Sequence, residues 1–257
     1  MNVIILAAGE GKRMKALTKK KPKCFLEING ISLIQRLINQ LLKLGLKDIS
    51  IVTGYKAKQF NFKKINYFYN KNYHRTNMVY SLMKAKSKMK KDTLIIYSDL
   101  YLSNNILKKM LMIKNEFSVG VDFAWKKYWK YRFNKIKTDI ESLKINKKNQ
   151  IKEIGKNTKN LKEIDARYIG IIKTSKKINK IILSIWQKEK NKTKKNWGIS
   201  GQSLNKAYMT DLINHLVKIK EKINCYAIKF KGGWYEFDNE KDYYKFKTYK
   251  KSLDREL

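Results

Sequence analysis

The sequence predicts an α/β fold, a mostly parallel sheet flanked by helices with a small hairpin insertion, and three observations carry that reading. Short apolar runs at 3–6, 49–53 and 94–97 have the length and β-branched content of strands buried on both faces. Between the first two, Leu33, Ile34, Leu37, Ile38, Leu41 and Leu42 recur at helical spacing until Gly45 stops the helix. Strand, helix and strand in this order make a right-handed parallel unit, which puts the strands' carboxyl ends on one edge. At that edge the first run breaks directly into Ala7-Ala8-Gly9-Glu10-Gly11-Lys12-Arg13. With 257 residues and 43% hydrophobic content, the chain can bury a substantial core and reads as one domain.

The loop has the makings of an anion cradle. Two glycines and two alanines let the backbone take positive φ and approach a ligand with its N–H groups, and Arg13 and Lys23 add fixed positive charge. Phosphate oxygens need donors and charge neutralisation together, so the pattern points to a nucleoside triphosphate. A plain strand-to-helix turn with solvated basic residues fits the same spacing, because neither the Walker pattern nor the full dinucleotide fingerprint is present. The wider string is more specific: Leu6-Ala7-Ala8-Gly9, Gly11, Arg13-Met14, Leu17-Thr18, then Pro22-Lys23 before an apolar segment. It resembles the signature of the nucleotidyltransferases that activate sugar phosphates and phosphocholine. That resemblance implies a Rossmann-like mixed sheet. It also implies that Leu6, Ala7, Ala8, Gly9 and Gly11 hold the nucleotide, with Arg13 and Lys23 as the catalytic charges on the triphosphate. The family usually has proline where Ala16 stands.

Residues 25–28 read as a short strand, Asn29-Gly30 as a tight turn and 65–70 as a third sheet strand. By the resemblance, the nucleotide base lies near Gly54. Asn77 and Ser81 lie four apart, on one side of the helix that follows. Thr76 or Asn77 as a plain helix cap is the alternative. The Asn77-Met78 and Ser81-Leu82 pattern resembles the cytidylyltransferase branch, where this segment lines the pyrimidine and ribose pocket. The 94–97 strand delivers Asp99 at its carboxyl end, where Mg²⁺ and phosphates are expected in an α/β sheet. An Asp starting a turn explains the position equally well, and the resemblance assigns Asp99 to Mg²⁺.

A strand at 119–122 is followed by Trp125, Tyr128, Trp129 and Tyr131 among lysines, and 142–154 reads as a hairpin turning at 147–149. Residues 123–166 are therefore read as a lid or acceptor insertion. Its aromatic residues suit either a cage for a quaternary ammonium group or ordinary packing. Trp125, Trp129, Tyr168, Trp234 and Glu236 are the expected acceptor-binding residues; Tyr168-Ile169-Gly170 resembles the family's acceptor-side strand. Helices are expected at 178–188 and 204–219, and a strand at 225–228. In 234–238, alternation places Glu236 and Asp238 on one face, a costly arrangement without a nearby cation. Asp238 as a helix cap is the alternative; the resemblance assigns it to Mg²⁺ with Glu236 beside it. Replacing Asp99 or Asp238 by asparagine is expected to leave the fold intact or slightly more stable, since each removes a like charge.

The formal net charge is +38, with lysines spread along the whole chain beside abundant Asn and Ile and one proline. Such a global bias reads as a solvated surface rather than a designed nucleic-acid patch, so no specific nucleic-acid partner is expected. Two cysteines, Cys24 and Cys225, and two histidines, His74 and His215, have neither disulfide nor zinc spacing. Without a bilayer-length apolar run or a leader pattern, a cytoplasmic protein is expected. The implied reaction is transfer of CMP from CTP to a phosphate or phosphonate monoester, with Mg²⁺ as cofactor and release of pyrophosphate. Two alternatives stay open: a sugar-1-phosphate nucleotidyltransferase and, remotely, a basic nucleic-acid-binding module.

Overall fold

The computed structural model describes residues 1–192, 196–219 and 223–253. Strand β1 (Asn2–Ala7), buried throughout, runs into the small-residue loop, a single helical turn α1 (Ala16–Lys19), and the hairpin of β2 (Glu27–Ile28) and β3 (Ile31–Ser32). Asn29 and Gly30 both take positive φ in that hairpin, the geometry a two-residue turn requires. Helix α2 (Leu33–Lys43) is capped by Ser32, whose Oγ accepts from the Gln35 amide, and it buries the predicted apolar stripe except Leu42, which lies exposed at the stripe's edge. Strands β4 (Ile49–Thr53) and β5 (Asn66–Tyr69), helix α3 (Met78–Lys84) and strand β6 (Thr93–Tyr97) complete the first half.

The second half contains β7 (Leu100–Leu102), α4 (Asn104–Met112), β8 (Phe117–Asp122), α5 (Trp125–Phe133), and the hairpin of β9 (Glu141–Ile145) and β10 (Ile151–Asn157). Then come β11 (Arg167–Thr174), α6 (Lys176–Glu189), α7 (Met209–Ile219), β12 (Tyr226–Phe230), β13 (Trp234–Glu236) and α8 (Glu240–Leu253). The expected helix at 204–219 begins only at Met209. Asp211, in the helix's first turn, accepts from the Tyr208 amide at 2.8 Å and from Ser200, and this side-chain cap sets the start.

The main sheet has seven strands in the order β12-β8-β11-β6-β1-β4-β5. All pairs are parallel except those of β11, which runs antiparallel to both β6 and β8. The sheet is therefore mixed, as expected, and its β5-β4-β1-β6 half is a Rossmann-like unit with every carboxyl end on one edge. Apolar side chains fill both faces: one cluster joins β1, α2 and α4 to the aromatic residues of α5 and β13, the other joins β1 to α3, α6 and α7. The β9–β10 hairpin is anchored rather than free. Gly155, at φ +91°, lies so close to α7 that a Cβ there would sit 2.7 Å from Thr210. No helix among the described residues is long and apolar enough to cross a membrane.

Candidate active site

At the carboxyl edge of β1 the loop turns through Gly11 in the left-handed region, φ 65°, where a side chain would press on Lys23 Cβ at 3.0 Å. The Thr18 hydroxyl donates to the Gly11 carbonyl at 3.0 Å and fixes the turn. A cavity of about 150 Å³ opens here, with Leu6, Ala7, Ala8, Gly9 and Gly11 along one wall. Asn77 and Ser81 stand on the other, beside Tyr73 and Thr76. Asn77 also caps α3, its Oδ1 accepting from the Met78 amide at 2.9 Å, so its two readings are compatible. Gly54 does not line this cavity. It packs behind the loop, where a Cβ would meet the Ala8 carbonyl oxygen at 2.6 Å, and the next amide, Tyr55, donates to that same oxygen at 3.0 Å.

Three carboxylates meet beside the loop. Asp99 follows β6; Glu236 and Asp238 are brought opposite by the antiparallel pairing of β13 with β7, in which Glu236 faces Leu100, and the Phe237 amide donates to the Asp99 carbonyl. Asp99, Glu236 and Asp238 each offer an oxygen within 4.8 Å of the others. Cations surround them. Lys23 pairs with Asp99 and stands 3.7 Å from Asp238, Arg13 reaches Asp238 at 2.9 Å, and Arg132 reaches both Glu236 and Asp238 at 2.9 Å. Burial pushes the Glu236 carboxyl up to about 7, and the Asp238 charge adds to that. Burial also acts to raise Asp238, but Lys23, Arg132 and Arg13 outweigh it and hold that carboxyl below its ordinary value. Removing the Asp238 charge therefore takes away attraction rather than repulsion, which reverses the expected stabilisation by Asp238→Asn. Three carboxylates supply the hard oxygen donors that suit Mg²⁺. Cys24 lies close by, but burial pushes its thiol up to about 12, which leaves it protonated and unfit as a nucleophile at neutral pH.

A second cavity, about 510 Å³, lies on the far side of these acids. Lys23, Met78, Tyr97 and Asp99 line both cavities, so the two spaces meet at the acidic cluster. Arg13, Tyr168, Trp234, Glu236 and Asp238 line the second one. Trp125 and Trp129, expected at the acceptor, do not: each is 1% exposed, packed in the core face of α5. Trp129 donates its indole N–H to the Thr138 carbonyl at 2.8 Å, and its ring carries the Arg167 guanidinium at 4.4 Å. An aromatic cage is thus not assembled from these two tryptophans; their spacing along α5 marks packing.

Comparison with known proteins places this geometry. The MobA-like NTP transferase domain matches residues 3–116. The CTP:phosphoglutamine cytidylyltransferase of Campylobacter jejuni is 31% identical over 249 residues, covering 93% of this chain and 96% of that protein. The chain belongs to the nucleotidyltransferase family, on its cytidylyltransferase branch. The choline-phosphate cytidylyltransferase of Streptococcus pneumoniae is 35% identical over 123 residues, 46% of this chain and 53% of that protein. The fold matches the solved CTP:phosphocholine cytidylyltransferase from Streptococcus pneumoniae with a TM-score of 0.70 at 22% identity, covering 96% of this chain and 98% of that one.

Sequence reasoning missed three residues of this nucleotidyltransferase. Arg132, its side chain fully buried, forks across Glu236, Asp238 and Asp242. Asp242 accepts from the Asn239 amide while Asn239 Oδ1 accepts from the Asp242 amide, a capping box that starts α8 and leaves Asp238 free for the cluster. Asn70, 0% exposed at the end of β5, donates to both Ser81 and Thr76 at 3.0 Å and so orients the wall of the first cavity. An arginine inside an apolar helical stripe, and Asn239 followed three residues later by Asp242, were the signals available for the first two.

Proposed function

We propose that this enzyme transfers CMP from CTP to a phosphate or phosphonate monoester and releases pyrophosphate, using Mg²⁺ held by Asp99 and Asp238 with Glu236 beside them. The observation that carries the reading is the meeting of the two cavities at Asp99 and Lys23: one space for the nucleotide, one for the acceptor, and the acids between them. Relatives named as phosphoglutamine, choline-phosphate and 2-aminoethylphosphonate cytidylyltransferases support it.

On this reading Leu6 to Gly11 cradle the triphosphate, while Asn77 and Ser81, the latter oriented by Asn70, face the cytosine and ribose. Lys23 and Arg13, paired with the acids in the free protein, turn to the phosphates when nucleotide arrives and steady the charge that develops at the α-phosphorus. Mg²⁺, when bound, neutralises phosphate charge and orients the two reactants. The acceptor's phosphoryl oxygen attacks in line from the second cavity, and pyrophosphate leaves on the loop side. No covalent enzyme intermediate is needed. Turnover measured as pyrophosphate release with CTP, UTP and dTTP tests the reading. CTP with a phosphomonoester should be favoured; preference for UTP or dTTP with a sugar 1-phosphate would overturn it.

A further inference from the structure

The acceptor cavity contains a second charged group that the transfer chemistry does not use. Arg167, the first residue of β11, lines the cavity with Asp139 and Glu141. Its guanidinium is held by long contacts to two backbone carbonyls, NH2 to Asp139 at 3.3 Å and NH1 to Glu141 at 3.5 Å, and by the face of Trp129. Among the described residues it has no ion pair, and its buried Nε has no partner. Burial holds its pKa below the ordinary arginine value, although the charges of Glu141, Glu236 and Asp139 act to raise it. The Asp139 and Glu141 carboxylates stand in the same wall, and burial raises the Glu141 carboxyl. A rigid cation flanked by two acids complements a ligand that is itself dipolar. Trp129, which does not line the cavity, stacks on this arginine from the core side.

We infer that Arg167 binds a carboxylate on the acceptor while Glu141 and Asp139 bind an ammonium, so that the acceptor is a phosphorylated amino acid carrying both charges beyond its phosphoryl group. This rests on the cytidylyltransferase reading and adds the class of its second substrate. The phosphoryl group itself belongs at the junction of the cavities, with Lys23 and Asp99. Arg167 is absent from that junction, and neither of those residues is among its partners.

The test compares O-phosphoserine and O-phosphohomoserine, which carry both charges, with phosphoethanolamine, phosphocholine and phosphoglycolate. Each is assayed with CTP and Mg²⁺ in the unmodified enzyme, Arg167→Lys and Arg167→Gln. The unmodified enzyme should favour an amino-acid phosphate over phosphocholine and phosphoethanolamine by about ten-fold or more in kcat/KM, the worth of a charge-assisted pair. Arg167→Gln should erase that preference through KM while phosphoethanolamine use stays within about three-fold, and Arg167→Lys should fall between. Preference of the unmodified enzyme for phosphocholine would overturn the inference. So would an equal loss on every acceptor in Arg167→Gln, which would assign the arginine to the phosphoryl group or to the fold. Calorimetric titration of the phosphoamino acids without nucleotide separates the two readings. Arg167-dependent binding without CTP turnover supports the pocket and removes the nucleotide assignment; CTP turnover on phosphocholine alone does the reverse.

Discussion

Arg132 should be the most costly charge in the molecule to remove. Its side chain is fully buried and forks across three acids: Nε and NH2 on Asp242 at 2.9 and 2.8 Å, NH2 on Asp238 at 2.9 Å, and NH1 on Glu236 at 2.9 Å. Methionine matches much of its volume but leaves these carboxylates without that partner, and the Asp242 side chain is only 2% exposed. Breaking a buried ion pair by deleting one partner costs about 3–5 kcal/mol. In a chain of this size that lowers Tm by about 6–20 °C. Arg132→Lys keeps the charge and loses the fork, and should fall between the two. The assay is urea unfolding of the metal-free proteins, repeated with Mg²⁺ and CTP. On the proposed metal site, added Mg²⁺ should restore part of the loss by compensating charge at Glu236 and Asp238 but not at Asp242. A metal-free Arg132→Met protein within about 1 kcal/mol of the parent would refute the argument, since no buried triad could then depend on this residue.

Three further outcomes follow from the same geometry. Gly54→Ala puts a methyl group 2.6 Å from the Ala8 carbonyl oxygen and should displace the loop, raising KM for CTP by about ten-fold or more with little change in the far cavity; steady-state kinetics with CTP varied checks it. Arg13→Ala should lower kcat by about two orders of magnitude, as loss of a charge contact to the reacting phosphates does, while circular dichroism stays unchanged. In the metal-free protein, the Glu236 carboxyl is lifted from 4.5 to about 7, so the fold is favoured with Glu236 protonated; its contribution to stability is full below the unfolded value and falls as pH rises from there through about 7. Thermal unfolding in EDTA should follow that slope, and Glu236→Gln should flatten it.

Much of the fold was legible because each sheet strand carried its own signal. The β1, β4 and β6 runs are continuous apolar segments, and the apolar stripe and Gly45 marked α2, whose start the structure sets with the Ser32 cap. The loop glycines, Asn77, Ser81 and the acids could be named because the chain's order of motifs resembles one family. Three-dimensional placement was a different matter. Trp125 and Trp129 look alike in sequence whether they face a ligand or a core, and only packing of α5 against β13 decides for the core. Arg132 and Arg167 gain their meaning from partners more than 20 residues away, a separation at which no local pattern operates.

The most direct test of the central claim is product analysis of a single reaction: enzyme, CTP, Mg²⁺ and a phosphorylated acceptor, with phosphorus NMR following both products, repeated with EDTA and with Asp99→Asn. The account predicts a CDP-linked product and pyrophosphate in equal amounts, both lost with EDTA and in the folded Asp99→Asn protein. Undiminished turnover in Asp99→Asn, or with EDTA present, would contradict it.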